Sequence, residues 1–270
     1  MIHFVVALLP EAQPLIDYYH LKALPNSEPF KVYEGDGKRL IISGIGKTQA
    51  ASAAAFLHVF SGGLRNQIWM NVGVAGHSER NLGDGILAHK VTDQVSGKSW
   101  YPPIVIETPC PTESVLTVER PETRYQGSWV YEMEAAGFYS TAVRFSTAEL
   151  IHCFKVISDN PKSSTKKVSP ALAKRLIRNH LQTIDIILKR TTKLAEELIP
   201  LEAAPVEFQK FLGHWHFTVS EQHRLRRLLK RIETLMPKAV IWSDEVQGLK
   251  KAKDVLEFLE EKINSLLVTL

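Results

Sequence analysis

Apolar runs of strand length, separated by stretches of helical character, constrain this chain more than any other feature. Residues 2–9, Gln67–Val72, Ile86–Thr92 and Cys153–Ile157 are such runs, rich in β-branched residues and bounded by Gly, Pro or Asp. Runs of this kind read as strands covered on both faces. Between them the pattern predicts a helix from Glu11 to Tyr19, an Ala-rich helix over 49–60 and a helix over 132–146. Phe30–Glu34 and Arg39–Ser43 flank Gly35-Asp36-Gly37 and read as a hairpin. Strands that alternate with helices imply an α/β domain built on a parallel or mixed sheet.

The remainder is helical or irregular. Residues 93–129 carry five prolines and one expected strand, Ser114–Val118. Ser169-Pro170 has the N-cap and first-turn chemistry of a long helix, whose Leu172, Leu176, Ile184, Ile187, Leu194 and Leu198 share a face. Pro200 and Pro205 flank an expected linker. Beyond it, Thr218-Val219-Ser220-Glu221 is a capping box before Leu225, Leu228, Leu229 and Ile232. A last helix carries Leu249, Ala252, Leu256, Leu259, Ile263 and Leu266 at three- and four-residue spacing, like a short heptad seam. The domain expectation is therefore 1–199 plus a helical extension, 206–270.

Composition excludes several classes. Two cysteines, Cys110 and Cys153, make neither a disulfide framework nor a zinc signature, which fits a reducing cytosol. No apolar run is long enough for a membrane span, and the N-terminal segment lacks the basic start of a signal peptide. A soluble, cytoplasmic protein is the expectation. A net charge of +4 does not argue for nucleic acid. Arg224, Arg226, Arg227, Lys230 and Arg231 interleave with an apolar stripe, so a solvated helix face is the simpler reading. His214 and His216 stand two apart, off any common helix face, and no Cys or acid completes a metal set with His223.

Gly44-Ile45-Gly46-Lys47-Thr48 invites a phosphate-loop reading. That loop needs a glycine where Ile41 stands, so a tight glycine turn is the better account. Asn71-Val72-Gly73-Val74-Ala75-Gly76 ends a strand in an expected glycine turn, where ligands of open α/β sheets tend to bind. Three acids remain. Glu11 follows the first strand; Glu134, with Glu132 and Met133, opens a small-residue helix; Asp159 follows the strand 153–157. Each alone has an ordinary explanation as a dipole partner, cap or turn starter. Together all three stand at or beside the carboxyl ends of buried strands.

These residues resemble the nucleoside phosphorylase superfamily, and within it the 5′-methylthioadenosine/S-adenosylhomocysteine nucleosidases. The matching pieces are Glu11, Ser43-Gly44-Ile45-Gly46-Lys47, Asn71–Gly76, Leu82-Gly83-Asp84, Glu132-Met133-Glu134-Ala135 and Ile157-Ser158-Asp159, in family order over residues 1 to about 198. The resemblance implies a three-layer αβα sandwich around a mixed, partly barrel-like sheet. It implies that Glu134 grips the ribose hydroxyls with Met133 packed on the sugar, and that Gly76 and Ser158 belong to the substrate site. Asp159 would protonate or hydrogen-bond N7 of a purine, and Glu11 would be the general base on water. An acid in that role must hold its proton near neutral pH.

The resemblance also separates hydrolase from phosphorylase. Phosphorylases of this superfamily hold phosphate with arginines at two places that read Leu9-Pro10-Glu11 and Asn71 here. Water is then the expected nucleophile, with no metal or cofactor, a small-molecule nucleoside as ligand and a homodimer as assembly. A phosphorylase, or a nucleoside-binding protein with weak chemistry, is the alternative. Two departures stand out: Val74 replaces the nucleosidases' usual Ser, and Asn160-Pro161 follows Asp159 in place of a small residue and a second acid. Base-stacking residues are expected between Asp93 and Tyr131, with Trp100, Tyr101, Arg120 and Trp129 as candidates.

Overall fold

The computed structural model describes residues 1–202, 205–236 and 241–268. The chain divides into two compact units, Met1–Glu197 and Leu198–Leu270. The first contains β1 (Ile2–Val6), α1 (Leu9–Tyr18), β2 (Lys22–Ala23), β3 (Lys31–Gly35), β4 (Lys38–Ile42), α2 (Lys47–Phe60), β5 (Ile68–His77) and β6 (Gly85–Asp93). Then come β7 (Ser99–Trp100), β8 (Thr112–Thr117), β9 (Val130–Glu132), α3 (Ala135–Ala142), β10 (Ile151–Asp159) and α4 (Pro170–Arg178). Helix α5 (Leu181–Glu202) runs across the boundary.

The strands form one mixed sheet in the order β10-β6-β8-β9-β5-β1-β4-β3-β2. Because β5 pairs with both β9 and β10, the first five close into a barrel, and β1, β4, β3 and β2 continue as an open wing. Side chains alternate across a strand, and that period splits the core in two. Val5, Ile41, Trp69 and Cys153 face a layer with Ala50, Ala53, Ala54 and Leu57 of α2 and Phe138 of α3. Phe4, Val6, Leu40, Met70 and Phe154 face the opposite layer, with Leu15 of α1, Leu176 of α4 and Ile184 and Ile187 of α5. The result is a three-layer αβα arrangement around a partly barrel-like sheet.

Tight approach of α2 to α3 depends on Gly137. A Cβ there would lie 1.8 Å from the Lys47 carbonyl oxygen. This small-residue contact brings the α2 N-terminus to the start of α3, where Glu134 stands.

Four expectations change. The stretch Gly73–Gly76 is not a turn: β5 runs through it to His77, and β10 pairs with it from Lys155 to Asp159, with a register shift past Ile157. Its glycines make room for side chains instead. The predicted helix 132–146 is split, because β8 and β9 pair through Val130–Glu132 and hold those residues extended; only 135–142 are helical. The single helix expected from Pro170 is two helices, α4 and α5. They part at Asn179-His180, where His180 Nε2 lies 2.6 Å from the Gly83 carbonyl oxygen and the ring packs on Phe154. The backbone of α5 stays helical through Pro200 to Glu202, so the linker does not begin there; the Pro200 side chain lies outside the described residues.

The second unit contains α6 (Phe208–His214), α7 (Val219–Leu235), α8 (Asp244–Gln247) and α9 (Ala252–Val268). The capping box forms as read: Thr218 Oγ1 accepts from Glu221 N, and Glu221 Oε2 accepts from Thr218 N. Leu225, Leu229 and Ile232 meet Leu256, Leu259 and Ile263 in the unit's own core, joined by Phe211 and Trp215. Those seam positions are thereby used within the unit, while the side chain of Leu266 lies outside the described residues. Arg224 forks onto Glu260 at 3.0 and 2.7 Å, and Arg226 lies over the Phe208 ring. The His214 ring stands edge-on to Trp215 and Trp242. Among the described residues no helix is long and apolar enough to cross a membrane.

Candidate active site

All six sequence-predicted site residues, Glu11, Gly76, Met133, Glu134, Ser158 and Asp159, line one cavity. It opens where α1, the 43–47 loop, β5, the start of α3 and the end of β10 converge. Five acidic residues contribute to its lining, Glu11, Glu122, Glu132, Glu134 and Asp159, although the Glu132 carboxyl itself is turned inward and fully buried, and no Lys or Arg lines it among the described residues.

Glu11 is buried in the first turn of α1. Its Oε1 accepts from Val74 N at 2.9 Å and its Oε2 from Leu8 N at 3.1 Å, so helix cap and barrel strand hold it together. Burial, aided by the nearby charge of Glu134, pushes its pKa up to about 7 despite those two donors. A carboxyl titrating at neutrality can take a proton from water, which suits a general base. Gly73 gives this carboxylate its space: a Cβ there would lie 3.3 Å from Glu11 Oε1 and 3.4 Å from Lys155 Nζ.

Glu134 is the residue before α3, and its Oε1 accepts from Gly46 N at 2.9 Å. Gly44 and Gly46 both have positive φ, 84° and 104°, a region open mainly to glycine. The loop that resembles a phosphate cradle therefore aims a backbone N–H at a carboxylate. Burial raises the Glu134 pKa, with Lys155 acting against it. Glu132, which reads as a bystander in the sequence, is a structural hub. Its Oε2 accepts from Glu134 N and Ala135 N at 2.9 and 2.8 Å, and its Oε1 accepts from Thr117 Oγ1 at 2.5 Å.

Lys155 on β10 is a residue that the sequence reading missed. It is 1% exposed. Its Nζ stands 2.8 Å from Glu132 Oε2 and 3.7 Å from Glu134 Oε2, an ion pair by distance whose angles fall outside hydrogen-bond geometry. Burial acts to strip its proton, but the two carboxylates outweigh it and hold the ammonium above the ordinary lysine range. The signal was present in principle: a lone Lys inside a wholly buried strand must have a partner.

Asp159 ends β10 opposite Gly76, past a register shift between Ile157 and Asp159. A Cβ on Gly76 would lie 2.6 Å from Asp159 Oδ2, so this glycine admits the carboxyl. Ser158 Oγ donates to Asp159 Oδ1 at 2.6 Å, and Tyr125 Oη donates to Oδ2 at 2.5 Å. Asn160 takes the turn-starting role instead, with Oδ1 accepting from Lys162 N and Ser163 N.

The wall supplied by residues 93–131 differs from expectation. Val118, Pro121, Glu122 and Tyr131 line the cavity, whereas Trp100, Tyr101, Arg120 and Trp129 do not. Tyr101 and Trp129 lie within cation–π range of Lys90, and Trp100 pairs with Val91 across β6 and β7. Asn71 also points elsewhere, its Nδ2 donating to the Val5 carbonyl at 3.0 Å. Among the described residues no three His, Cys, Asp or Glu side chains are grouped to hold a metal.

No family sequence model matches the chain, and no curated protein sequence matches it. Solved structures do match. The 5′-methylthioadenosine/S-adenosylhomocysteine nucleosidase of Streptococcus pneumoniae, with a transition-state inhibitor, gives a TM-score of 0.57 at 16% identity over 70% of this chain and 98% of that one. The Neisseria meningitidis enzyme with methylthio-immucillin-A gives 0.55 at 18% identity, over 70% and 98%. The Arabidopsis thaliana 5′-methylthioadenosine nucleosidase in apo form gives 0.56 at 16% identity, over 70% and 95%. In its architecture this chain has the fold of the 5′-methylthioadenosine/S-adenosylhomocysteine nucleosidases.

Proposed function

We propose that the protein is a nucleosidase that hydrolyses the N-glycosidic bond of a purine-type nucleoside. The observation that carries this reading is the acidic lining of the cavity: Glu11, Glu122, Glu134 and Asp159 with no lining Lys or Arg among the described residues. Cleavage of a ribosyl bond develops positive charge on the sugar, which carboxylates stabilise. A phosphate nucleophile needs charge-assisted donors. The one buried cation nearby among the described residues, Lys155, is already shared between Glu132 and Glu134. Water is thus favoured over phosphate.

In this mechanism Glu134 accepts hydrogen bonds from the ribose hydroxyls while Gly46 N fixes its orientation. Met133 covers the sugar, and Asp159 donates a proton to N7 so that the base leaves neutral. Glu11, titrating near 7, removes a proton from water as it adds to the anomeric carbon. Both Glu11 and Asp159 are buried at the same cavity, and their donors hold each carboxyl in a fixed orientation, which supports a division of roles between them. Purified protein incubated with a panel of nucleosides, with and without phosphate, tests the proposal. Base release independent of phosphate is expected; strict dependence on phosphate would convert the reading to a phosphorylase.

A further inference from the structure

We infer that Tyr125 is a positioning residue for Asp159, delivered by a latched loop that fixes the carboxyl and stabilises it once its proton has gone. The inference rests on the proposed acid role of Asp159. Tyr125 Oη donates to Asp159 Oδ2 at 2.5 Å, and the ring lies against the face of Gly76, where an added Cβ would meet Tyr125 Cε1 at 2.8 Å. Tyr125 is 6% exposed and does not line the cavity. It therefore backs the acid without displacing substrate.

The loop is built to hold this contact. Tyr131 Oη donates to the carbonyls of Gln126 and Gly127, and Ser78 Oγ donates to the Gly127 carbonyl at 3.1 Å. The Tyr125 and Tyr131 rings meet edge to face at 6.0 Å. Tyr125 itself has φ of 47°, a backbone conformation that a bulky residue adopts only under constraint. The charged groups acting on the Tyr125 hydroxyl are Asp159 and Glu122 of the same loop. Glu122 is occupied by the backbone N–H groups of Thr123 and Arg124, which leaves Asp159 as the acceptor that the phenol serves.

The chemical consequence follows from proton balance. When Asp159 delivers its proton to the leaving base, a carboxylate remains, and a hydroxyl aimed at Oδ2 is worth more to that carboxylate than to the neutral acid. Ser158 Oγ, which reaches both Asp159 Oδ1 and the Ala75 carbonyl, can turn between them as the proton moves.

Tyr125→Phe removes the hydroxyl and keeps the ring. With the nucleoside that the wild-type protein turns over, kcat is expected to fall about tenfold to a hundredfold with KM nearly unchanged, the range for a hydrogen bond to a charged group. An unchanged kcat, or a loss that falls on KM instead, would overturn the inference. A second readout needs no turnover. The buried hydroxyl–carboxylate hydrogen bond predicts a phenolic proton resonance protected from exchange with water that vanishes in both Tyr125→Phe and Asp159→Asn. Its absence from the wild-type spectrum would overturn the inference even if no nucleoside is cleaved, a result that by itself would sink only the hydrolase reading.

Discussion

Replacing Lys155 by Met tests the electrostatic frame of the cavity. The ammonium lies 2.8 Å from Glu132 and 3.7 Å from Glu134, which at an effective dielectric near ~20 corresponds to roughly 6 and 4 kcal/mol of attraction before desolvation. Met fills similar volume, so the variant leaves two buried carboxyls without their cation. Breaking a buried pair in this way typically destabilises by about 3–5 kcal/mol. One orphaned carboxyl can limit the loss by taking up a proton. From an ordinary glutamate pKa near ~4.3, that uptake costs about 4 kcal/mol at pH 7 and about 1 kcal/mol at pH 5. The stability gap between wild type and variant should therefore be about 4 kcal/mol at pH 7 and close to ~1 kcal/mol at pH 5. Urea denaturation at the two pH values measures it. A variant as stable as wild type at pH 7, or a gap that stays constant with pH, would show that Lys155 does not hold the two carboxylates in their ionised form.

Three further perturbations have defined outcomes. Because burial raises Glu11 to about 7 and a general base must be ionised, kcat/KM should rise with pH through about 7; a flat profile there would remove Glu11 from that role. Burial lowers His152 to about 4. The unfolded chain then binds this proton first, so stability is complete above about 6.5 and declines as pH falls toward 4, by about 3 kcal/mol for this group. Acid unfolding of His152→Gln should lack that share, and an identical pH dependence would contradict it. Gly137→Ala places a Cβ 1.8 Å from the Lys47 carbonyl; overpacking of roughly 1–3 kcal/mol or more should outweigh the helix propensity gained, up to ~1 kcal/mol. A thermal melt at or above the wild-type midpoint would show that the two helices give way.

Much of this was legible in the chain because burial and period speak locally. The strands, the Ala-rich α2 and the Thr218–Glu221 cap follow from patterns within ten or twenty residues. The three acids were legible through order along the sequence. What failed depended on partners distant in the chain. Gly73 and Gly76 look like turn glycines, yet they are strand residues whose missing side chains admit Glu11, Lys155 and Asp159. Glu132 looks like a first-turn acid, and only the pairing of β9 with β8 and β5 makes it the hub that starts α3. Tyr125 carries no local signal, since its partner lies 34 residues away. Trp100 and Trp129 stand in the stretch expected to supply base stacking, but Lys90 and neighbouring strands hold them outside the cavity.

In the proposed reaction water, activated at Glu11, replaces the base on the sugar. The most direct test is product stoichiometry in phosphate-free buffer, comparing wild type with Glu11→Gln. One free base and one reducing sugar are expected per nucleoside consumed by the wild-type protein, with a rate lower by about 10²–10⁴ in the variant. Base release that appears only with phosphate and yields a sugar phosphate, or equal rates in the two proteins, would contradict it.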